Sequence, residues 1–442
     1  MARPCRTGVA SQIGDGSWPT KAREQGLRSM SSSSRAEFEA LDAADPLARW
    51  RERFALPEGV IYLDGNSLGA LPQATEAVLG DVVRRQWGQD LITSWNRHGW
   101  VDLPQRLGAK IARLIGARAH EVVVCDSISV NLFKLVAAAL QLRPGRRVVL
   151  TERGNFPTDL YVAQGLCGLL GDRVELRAVA RAELEAALDV DTALLMLTHV
   201  DYRSGRMHDM ADLTAAAHQR GALVLWDLAH SAGAVPVELN AAGADLAVGC
   251  GYKYLNGGPG APAFLFVAER WHEQARQPLT GWFGHRQPFA FAADYEPAPG
   301  IARFLAGTPP ILSLKALEVG VDMLLEVDQA TLRAKSVRLG EVLIRLIEEG
   351  CAGVGFALAS PRDAALRGSQ IAFRHEAGYP IMQALIANGV IGDFRAPDLL
   401  RFGLAPLYVR FVDLFDAAAR LRQIMTAGTW DRPEFKQRAA VT

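Results

Sequence analysis

Cysteine is scarce in this chain: five among 442 residues, at positions 5, 125, 167, 250 and 351. None forms a C-x-x-C pair, so neither a zinc knuckle nor a dithiol redox site is encoded. An odd, scattered set reads as reduced and intracellular, and a cytoplasmic location is expected. Net charge is lacking too. The 48 basic and 48 acidic side chains cancel, which removes the chain-wide electrostatic case for nucleic acid or an anionic membrane and favours small-molecule partners. Long apolar runs are missing: the most apolar helical stretch, 130–142, carries Lys134 and falls short of the roughly 20 residues a bilayer requires. Residues 1–34 hold Arg3, Arg6, Lys21, Arg23 and Arg28 but no apolar segment of a secretory signal. With the serine run at 31–34, they read as a disordered extension.

What remains is a composition of 49% hydrophobic and 22% charged residues, enough for a sizeable core and, at roughly 100–200 residues per domain, two or three domains. Residues 35–54 place Phe38, Leu41, Leu47, Trp50 and Phe54 at helical spacing, broken by Pro46, which predicts two short helices. From residue 121 apolar strands alternate with helices. Strands are predicted at 122–124, 147–150, 174–176, 193–197, 222–226 and 245–248, with helices at 129–140, 159–170, 182–188 and 210–220. Such alternation predicts an α/β body, a mainly parallel sheet with helices on both faces. A long helix after Leu312 and a mixed tail from Phe356 predict a smaller α+β domain.

In a parallel sheet, ligands bind beyond the carboxyl ends of strands, so polar residues that stop an apolar strand carry the information. Ala222-Leu223-Val224-Leu225-Trp226 ends in Asp227. Alone, a carboxylate there reads as a helix cap or a structural ion pair. The next strand, however, runs into Gly251-Tyr252-Lys253-Tyr254-Leu255-Asn256-Gly257-Gly258-Pro259-Gly260, where a lysine among tyrosines and glycines is partly desolvated, the setting of a Schiff-base lysine. Pyridoxal phosphate chemistry needs such a lysine, a carboxylate for the pyridine nitrogen, a face for the ring and a phosphate cradle. Lys253 and Asp227 supply the first two, with His230 on the same turn. Phe156 is the candidate ring face, though a lone phenylalanine also reads as core. Asp126-Ser127-Ile128-Ser129-Val130-Asn131 opens a helix whose N–H groups suit an anion, or form a simple cap.

Together with Tyr62-Leu63-Asp64-Gly65-Asn66-Ser67-Leu68-Gly69, Phe156-Pro157-Thr158-Asp159, Trp226-Asp227-Leu228-Ala229-His230-Ser231-Ala232-Gly233 and Gly307-Thr308-Pro309-Pro310-Ile311-Leu312, these residues resemble kynureninases. The resemblance runs from about residue 35 to the C-terminus. It implies the aspartate aminotransferase fold type (fold type I), with a mainly parallel sheet of seven strands in a large domain at 61–320 and a small domain made of 35–60 and 321–442. It also implies pyridoxal 5'-phosphate as cofactor, with Lys253 as its attachment point, Asp227 as pyridine partner, and Phe156 as stacking ring. Pro157, Thr158, Asp159, Thr198 and His230 become cofactor contacts, Ile128 and Ser129 phosphate ligands, and Tyr252 a phosphate ligand that aids proton transfer. Trp282 and Thr308 are implied to arrive from the partner subunit of a homodimer with shared sites. Arg401, within Leu399-Leu400-Arg401-Phe402-Gly403, is implied to grip the substrate α-carboxylate, for which a bidentate guanidinium is suited; otherwise its head reaches water over an apolar stem. Trp95, Asn96 and His98 fall where the family meets the substrate ring.

The implied reaction is hydrolysis of L-kynurenine to anthranilate and L-alanine in tryptophan catabolism, with 3-hydroxykynurenine the poorer substrate because Gly307-Thr308 stands where a Ser-Asn pair favours the extra hydroxyl. A cysteine desulfurase or selenocysteine lyase activity is the alternative within the fold. It requires a mobile thiol, for which Cys351 is the later candidate, although its position between helix and strand reads as a buried small residue. A cofactor-carrying protein without turnover is a third reading. His199, Asp201, His208 and Asp209 match no zinc spacing and read as a solvated polar loop, so no metal is expected.

Overall fold

The computed structural model describes residues 34–438, so the expectation for the N-terminal extension lies, Ser34 aside, outside them. Apolar runs without polar alternation bury both faces of a strand, and seven of them form one sheet. They are β1 (Val122–Val124), β2 (Val148–Glu152), β3 (Glu175–Val179), β4 (Thr192–Thr198), β5 (Leu223–Asp227), β6 (Leu246–Cys250) and β7 (Ala263–Val267), in the order β1-β7-β6-β5-β4-β2-β3. Pairs β6-β5-β4-β2-β3 are parallel, whereas β7 runs antiparallel to both β6 and β1. Alternate side chains enter separate cores. Val149, Leu194, Met196, Leu223 and Leu225 join helices Ile128–Leu142 and Pro157–Leu170 on one face. Val148, Leu195, Leu197, Val224 and Trp226 join helices Leu103–Leu114, Met210–Gln219 and Ile311–Leu325 on the other.

Strand β7 is absent from the sequence expectation. Its run Ala263-Phe264-Leu265-Phe266-Val267 directly follows the glycine-rich turn, with no helix between it and β6. With no helix in the twelve-residue connection to carry the chain across a face of the sheet, it reverses and β7 pairs antiparallel. Lys253 therefore sits in a reversal rather than in a strand-to-helix loop. Helix Ile311–Leu325 presses on this reversal: a Cβ at Gly320 would come within 2.0 Å of the Leu255 carbonyl oxygen.

The C-terminal part carries a four-stranded antiparallel sheet made of β8 (Ala357–Leu358), β9 (Gln370–Arg374), β10 (Asp393–Arg395) and β11 (Leu399–Gly403), ordered β10-β11-β9-β8. Helix Gly378–Ala387 packs on its strands β10 and β11 and helix Gln329–Gly350 on β9; helix Phe411–Ala427 packs on both helices, and helix Arg35–Ala43 joins it through Phe38 on Phe415, ring centroids 5.1 Å apart. Two links bring this part to the large sheet. Ile61–Tyr62 pairs in parallel with Val390–Ile391, and Asp64 bridges Gly403. The segment 64–69 is thereby fixed between β11 and the Lys253 reversal, with the Gly69 N–H donating to the Tyr252 carbonyl at 2.8 Å. Among the described residues no helix is long and apolar enough to cross a membrane.

Candidate active site

Strand register aligns the polar strand ends. Thr198 closing β4 lies beside Asp227 closing β5, and the next strand leads to Lys253. A cavity of about 280 Å³ opens there, lined among others by Ser129, Phe156, Thr158, Asp227, Tyr252 and Lys253; Ser127, Ile128 and His230 complete its rim. Lys253 Nζ lies 2.8 Å from His230 Nε2 and 5.9 Å from the ring centroids of both Phe156 and Tyr252. Asn256, at φ +55°, closes the turn, its amide donating to the Tyr254 carbonyl. On the opposite rim, Asp126 adopts φ +50° ahead of helix Ile128–Leu142. The fully buried Lys134 holds it at 2.5 Å while also donating to the Phe304 carbonyl.

Two buried carboxylates meet at the floor. Asp227 Oδ1 accepts from the Ala229 N–H at 2.7 Å. Asp159 Oδ2 lies 3.3 Å from Thr198 Oγ1, while Asp159 Oδ1 has no hydrogen-bond partner. Burial, then the neighbouring Asp227 charge, pushes the Asp159 carboxyl well above the usual range; burial also raises Asp227, and the Lys253 charge opposes that rise. Such a floor, with a buried oxygen lacking a donor, fits a flat heterocycle that brings its own ring N–H. The residues therefore suit pyridoxal phosphate: a lysine, a carboxylate, an aromatic face and a helix N-terminus border one cavity.

Above Phe156 stands Tyr202, rings edge to face at 5.1 Å. Its carbonyl oxygen accepts from Gln370 Nε2 at 3.0 Å and from Arg401 Nη1. Arg401 is almost completely buried, so its head does not reach water. Its guanidinium clasps Asp393 through Nε (2.6 Å) and Nη2, with Ser67 Oγ 3.2 Å from Nη2. Asp393 also pairs with Arg395 at 2.9 Å. The bidentate grip expected from the sequence for a substrate is thus already filled by Asp393, because four of the five guanidinium N–H groups have protein acceptors.

Beside this pair Asp64 is a second carboxyl. Burial and then the Asp393 charge raise it to about 7, and Arg401 and Arg395 oppose the rise. A carboxyl that binds its proton more tightly in the folded state than unfolded stabilises the fold at low pH and loses that contribution as pH rises towards its folded value. Asp64→Asn, which cannot ionise, should therefore match the parent in melting temperature near pH 4. Above pH 7 it should melt higher, by roughly 1 °C for each kcal/mol recovered in a chain of this length. Melting curves across that range check the expectation.

Trp95 packs on Trp100 and on Phe283, at 5.9 and 6.1 Å between ring centroids, beside Trp282. Neither Trp95, Trp282 nor the exposed Thr308 borders the Lys253 cavity in this protomer. Asn96 and His98 lie in the same segment, His98 bound to Asp90. The solvated loop expected around His199 is corrected: His199 and His208 are buried against Trp226. His199 Nδ1 meets Ser231 Oγ at 2.9 Å and His208 Nε2 meets Glu152 at 2.8 Å. Burial, followed by the His208 charge, drives His199 down to about 3. Asp209 caps helix Met210–Gln219. Cys351 is buried at the end of helix Gln329–Gly350, where burial pushes its thiol up to about 12.

Gln370, Tyr202, Asp393 and Asn155 went unremarked in the sequence. Asn155 Oδ1 accepts from Thr198 Oγ1 and from the Phe156 N–H, at 2.8 Å for the latter, fixing the Phe156 turn. Gln370 carried a signal: it is a polar residue at the start of a short strand, directly before the apolar run Ile371-Ala372-Phe373.

The family model for the kynureninase C-terminal domain matches residues 332–421. A kynureninase of Burkholderia mallei (strain SAVP1) is 56% identical over 414 residues, 92% of this chain and 100% of that protein. A kynureninase of Pseudomonas fluorescens is 52% identical over 415 residues, 93% of this chain and 100% of that protein. Among solved structures, the apo cysteine desulfurase of Thermococcus onnurineus NA1 superposes with a TM-score of 0.73 at 19% identity, covering 86% of this chain and 98% of its own, a likeness of fold. More than half of all positions being identical along the entire length of relatives that share this one name, the chain belongs to the kynureninase family.

Proposed function

We propose that the protein hydrolyses the Cβ–Cγ bond of L-kynurenine, water and substrate giving anthranilate and L-alanine. The observation that carries this reading is the convergence of Lys253, Asp227 and Phe156 on one cavity in a chain of this family. Lys253 would attach pyridoxal phosphate, Asp227 would hold a proton at its ring nitrogen, Phe156 would cover its face, and Ile128, Ser129 and Tyr252 would receive its phosphate. Pro157, Thr158, Asp159, Thr198 and His230 complete the contacts. When bound, the cofactor supplies an electron sink for carbon acids. Lys253, freed by substrate, takes the α-proton and returns it. Water adds at Cγ, and Tyr252, whose phenol burial keeps protonated, hands a proton to Cβ, the carbon that keeps the electron pair of the broken Cβ–Cγ bond. Arg401, through the one Nη1 N–H left without a protein acceptor, orients the α-carboxylate.

A homodimer with shared sites is part of the proposal. Trp87, Leu91, Ile92, Phe289 and Phe291 are exposed, and Trp282 packs on the last two at 5.6 and 6.1 Å; an apolar surface of this kind favours a second copy. Trp282 and Thr308, away from the cavity of their own protomer, then belong to the partner's site, with Trp95 near the substrate ring. The division into a large unit at 61–320 and a small unit of 35–60 and 321–442, and a cytoplasmic location, belong to the same reading. Kynurenine is preferred to 3-hydroxykynurenine, since the small Gly307 offers no side-chain partner for the added hydroxyl. The purified protein with its cofactor is expected to release anthranilate from kynurenine, faster than the hydroxylated product from 3-hydroxykynurenine. Sulfide release from cysteine without anthranilate would overturn the proposal.

A further inference from the structure

Gln370 reaches the site from β9, almost completely buried, and its environment leaves one orientation for its amide. Nε2 faces two carbonyl oxygens, of Asp201 at 3.2 Å and Tyr202 at 3.0 Å. Carbonyls only accept, so the NH₂ group must point there. Oε1 then faces the opposite way, towards Asn66 Nδ2 at 3.3 Å and His230 Nδ1 at 2.9 Å. Since Oε1 only accepts, Nδ1 must carry the imidazole proton. A neutral ring has one N–H, which leaves a lone pair on Nε2, and Nε2 is the atom 2.8 Å from Lys253 Nζ.

We infer that Gln370 is a positioning residue that fixes the tautomer of His230, so that Nε2 is a proton acceptor aimed at Lys253. The inference rests on the reading of Lys253 as the lysine that carries the cofactor, and adds to it a chain of constraint from backbone carbonyls to the reacting amine. The charged groups around the ring agree with a neutral imidazole. Lys253 from the reversal after β6, Arg401 from β11 and Arg395 from β10 all oppose a second positive charge, and burial opposes it more strongly still. Asp227 closes β5 on the Lys253 side, and Asp393 is neutralised by the two arginines. The Tyr202 carbonyl serves both Gln370 and Arg401. The group that fixes the histidine is therefore tied to the residue implied to hold the substrate, so the tautomer depends on the C-terminal sheet being docked.

The test is nitrogen NMR of the histidine-labelled holoenzyme, with His230 assigned by its loss in His230→Asn. The parent is expected to show a protonated Nδ1 and a bare Nε2 at neutral pH. Gln370→Met, which removes the acceptor, should populate the Nε2–H form and lower kcat by about tenfold, the effect of one hydrogen bond lost beside a reacting group. Gln370→Glu keeps an acceptor for Nδ1, loses both donors and adds a charge. It should keep Nδ1 protonated and raise the pH at which His230 takes its second proton by about one unit or more. A proton on Nε2 in the parent, an unchanged tautomer in Gln370→Met, or an unmoved titration in Gln370→Glu would each overturn the inference. Should Gln370→Met not fold, the parent spectrum and Gln370→Glu decide. Anthranilate release by the same parent sample separates the two readings: turnover with the wrong tautomer sinks only this inference, and the expected tautomer without turnover sinks only the proposed reaction.

Discussion

Lys253→Ala is expected to depress kynurenine turnover by about 10⁴-fold, the upper end of what a positioned acid–base group contributes, with the loss in kcat rather than in folding. Among the residues bordering the cavity Lys253 is the one lysine, so no neighbour takes over. Borohydride reduction of the holoenzyme should fix the cofactor on the peptide containing residue 253 in the parent and on none in the variant. Alanine also removes the cation that opposes the rise of the Asp227 carboxyl, so charge and chemistry are lost together. Lys253→Arg separates them: the guanidinium keeps a positive charge near Asp227 but stays protonated and forms no Schiff base. Equal inactivity in both variants assigns the loss to the amine. Appreciable turnover by Lys253→Arg would mean that the positive charge alone suffices and that the amine has no chemical part.

The same residue illustrates what was legible in the sequence. Asp227 and Lys253 were readable because each interrupts an apolar strand at its carboxyl end, where a buried charge needs a reason. The parallel sheet followed from uninterrupted runs such as Leu194-Leu195-Met196-Leu197. The reversal around Lys253 was not readable, since whether a run such as 263–267 lies parallel or antiparallel depends on whether its connection crosses a face of the sheet, not on the composition of the run. Nor were the partners of His230 and Arg401. Gln370 lies 140 positions from His230, and the Tyr202 carbonyl 199 from Arg401; such contacts arise when two sheets dock, which local periodicity does not encode. His199 and His208 read as solvated because their cover, Trp226, comes from the neighbouring strand of the same sheet, a pairing that local periodicity does not encode either.

That docking sets the second large effect. Arg401 and Asp393 are both buried, and Asp393 accepts from Arg401, from Arg395 at 2.9 Å and from Ser67 Oγ at 2.7 Å. Burial raises the Asp393 carboxyl, yet the Arg401 hydrogen bonds and charge outweigh it and hold the group below its ordinary value. Arg401→Leu leaves Asp393 with one cation instead of two in a closed site, and breaking a buried pair in this way costs about 3–5 kcal/mol of stability. Kynurenine KM should rise at the same time, by about a hundredfold for a lost charge-assisted contact to a carboxylate. Arg401→Leu with Asp393→Leu removes both charges and should regain most of the stability, since an apolar pair of similar volume replaces a buried ion pair at little cost, while KM stays high. Chemical denaturation and steady-state kinetics on the same three proteins separate the roles. Should KM recover in the double variant, Arg401 would be a structural partner of Asp393 alone and the α-carboxylate would have to be held elsewhere, Arg395 being the other cation that pairs with Asp393 on the same sheet.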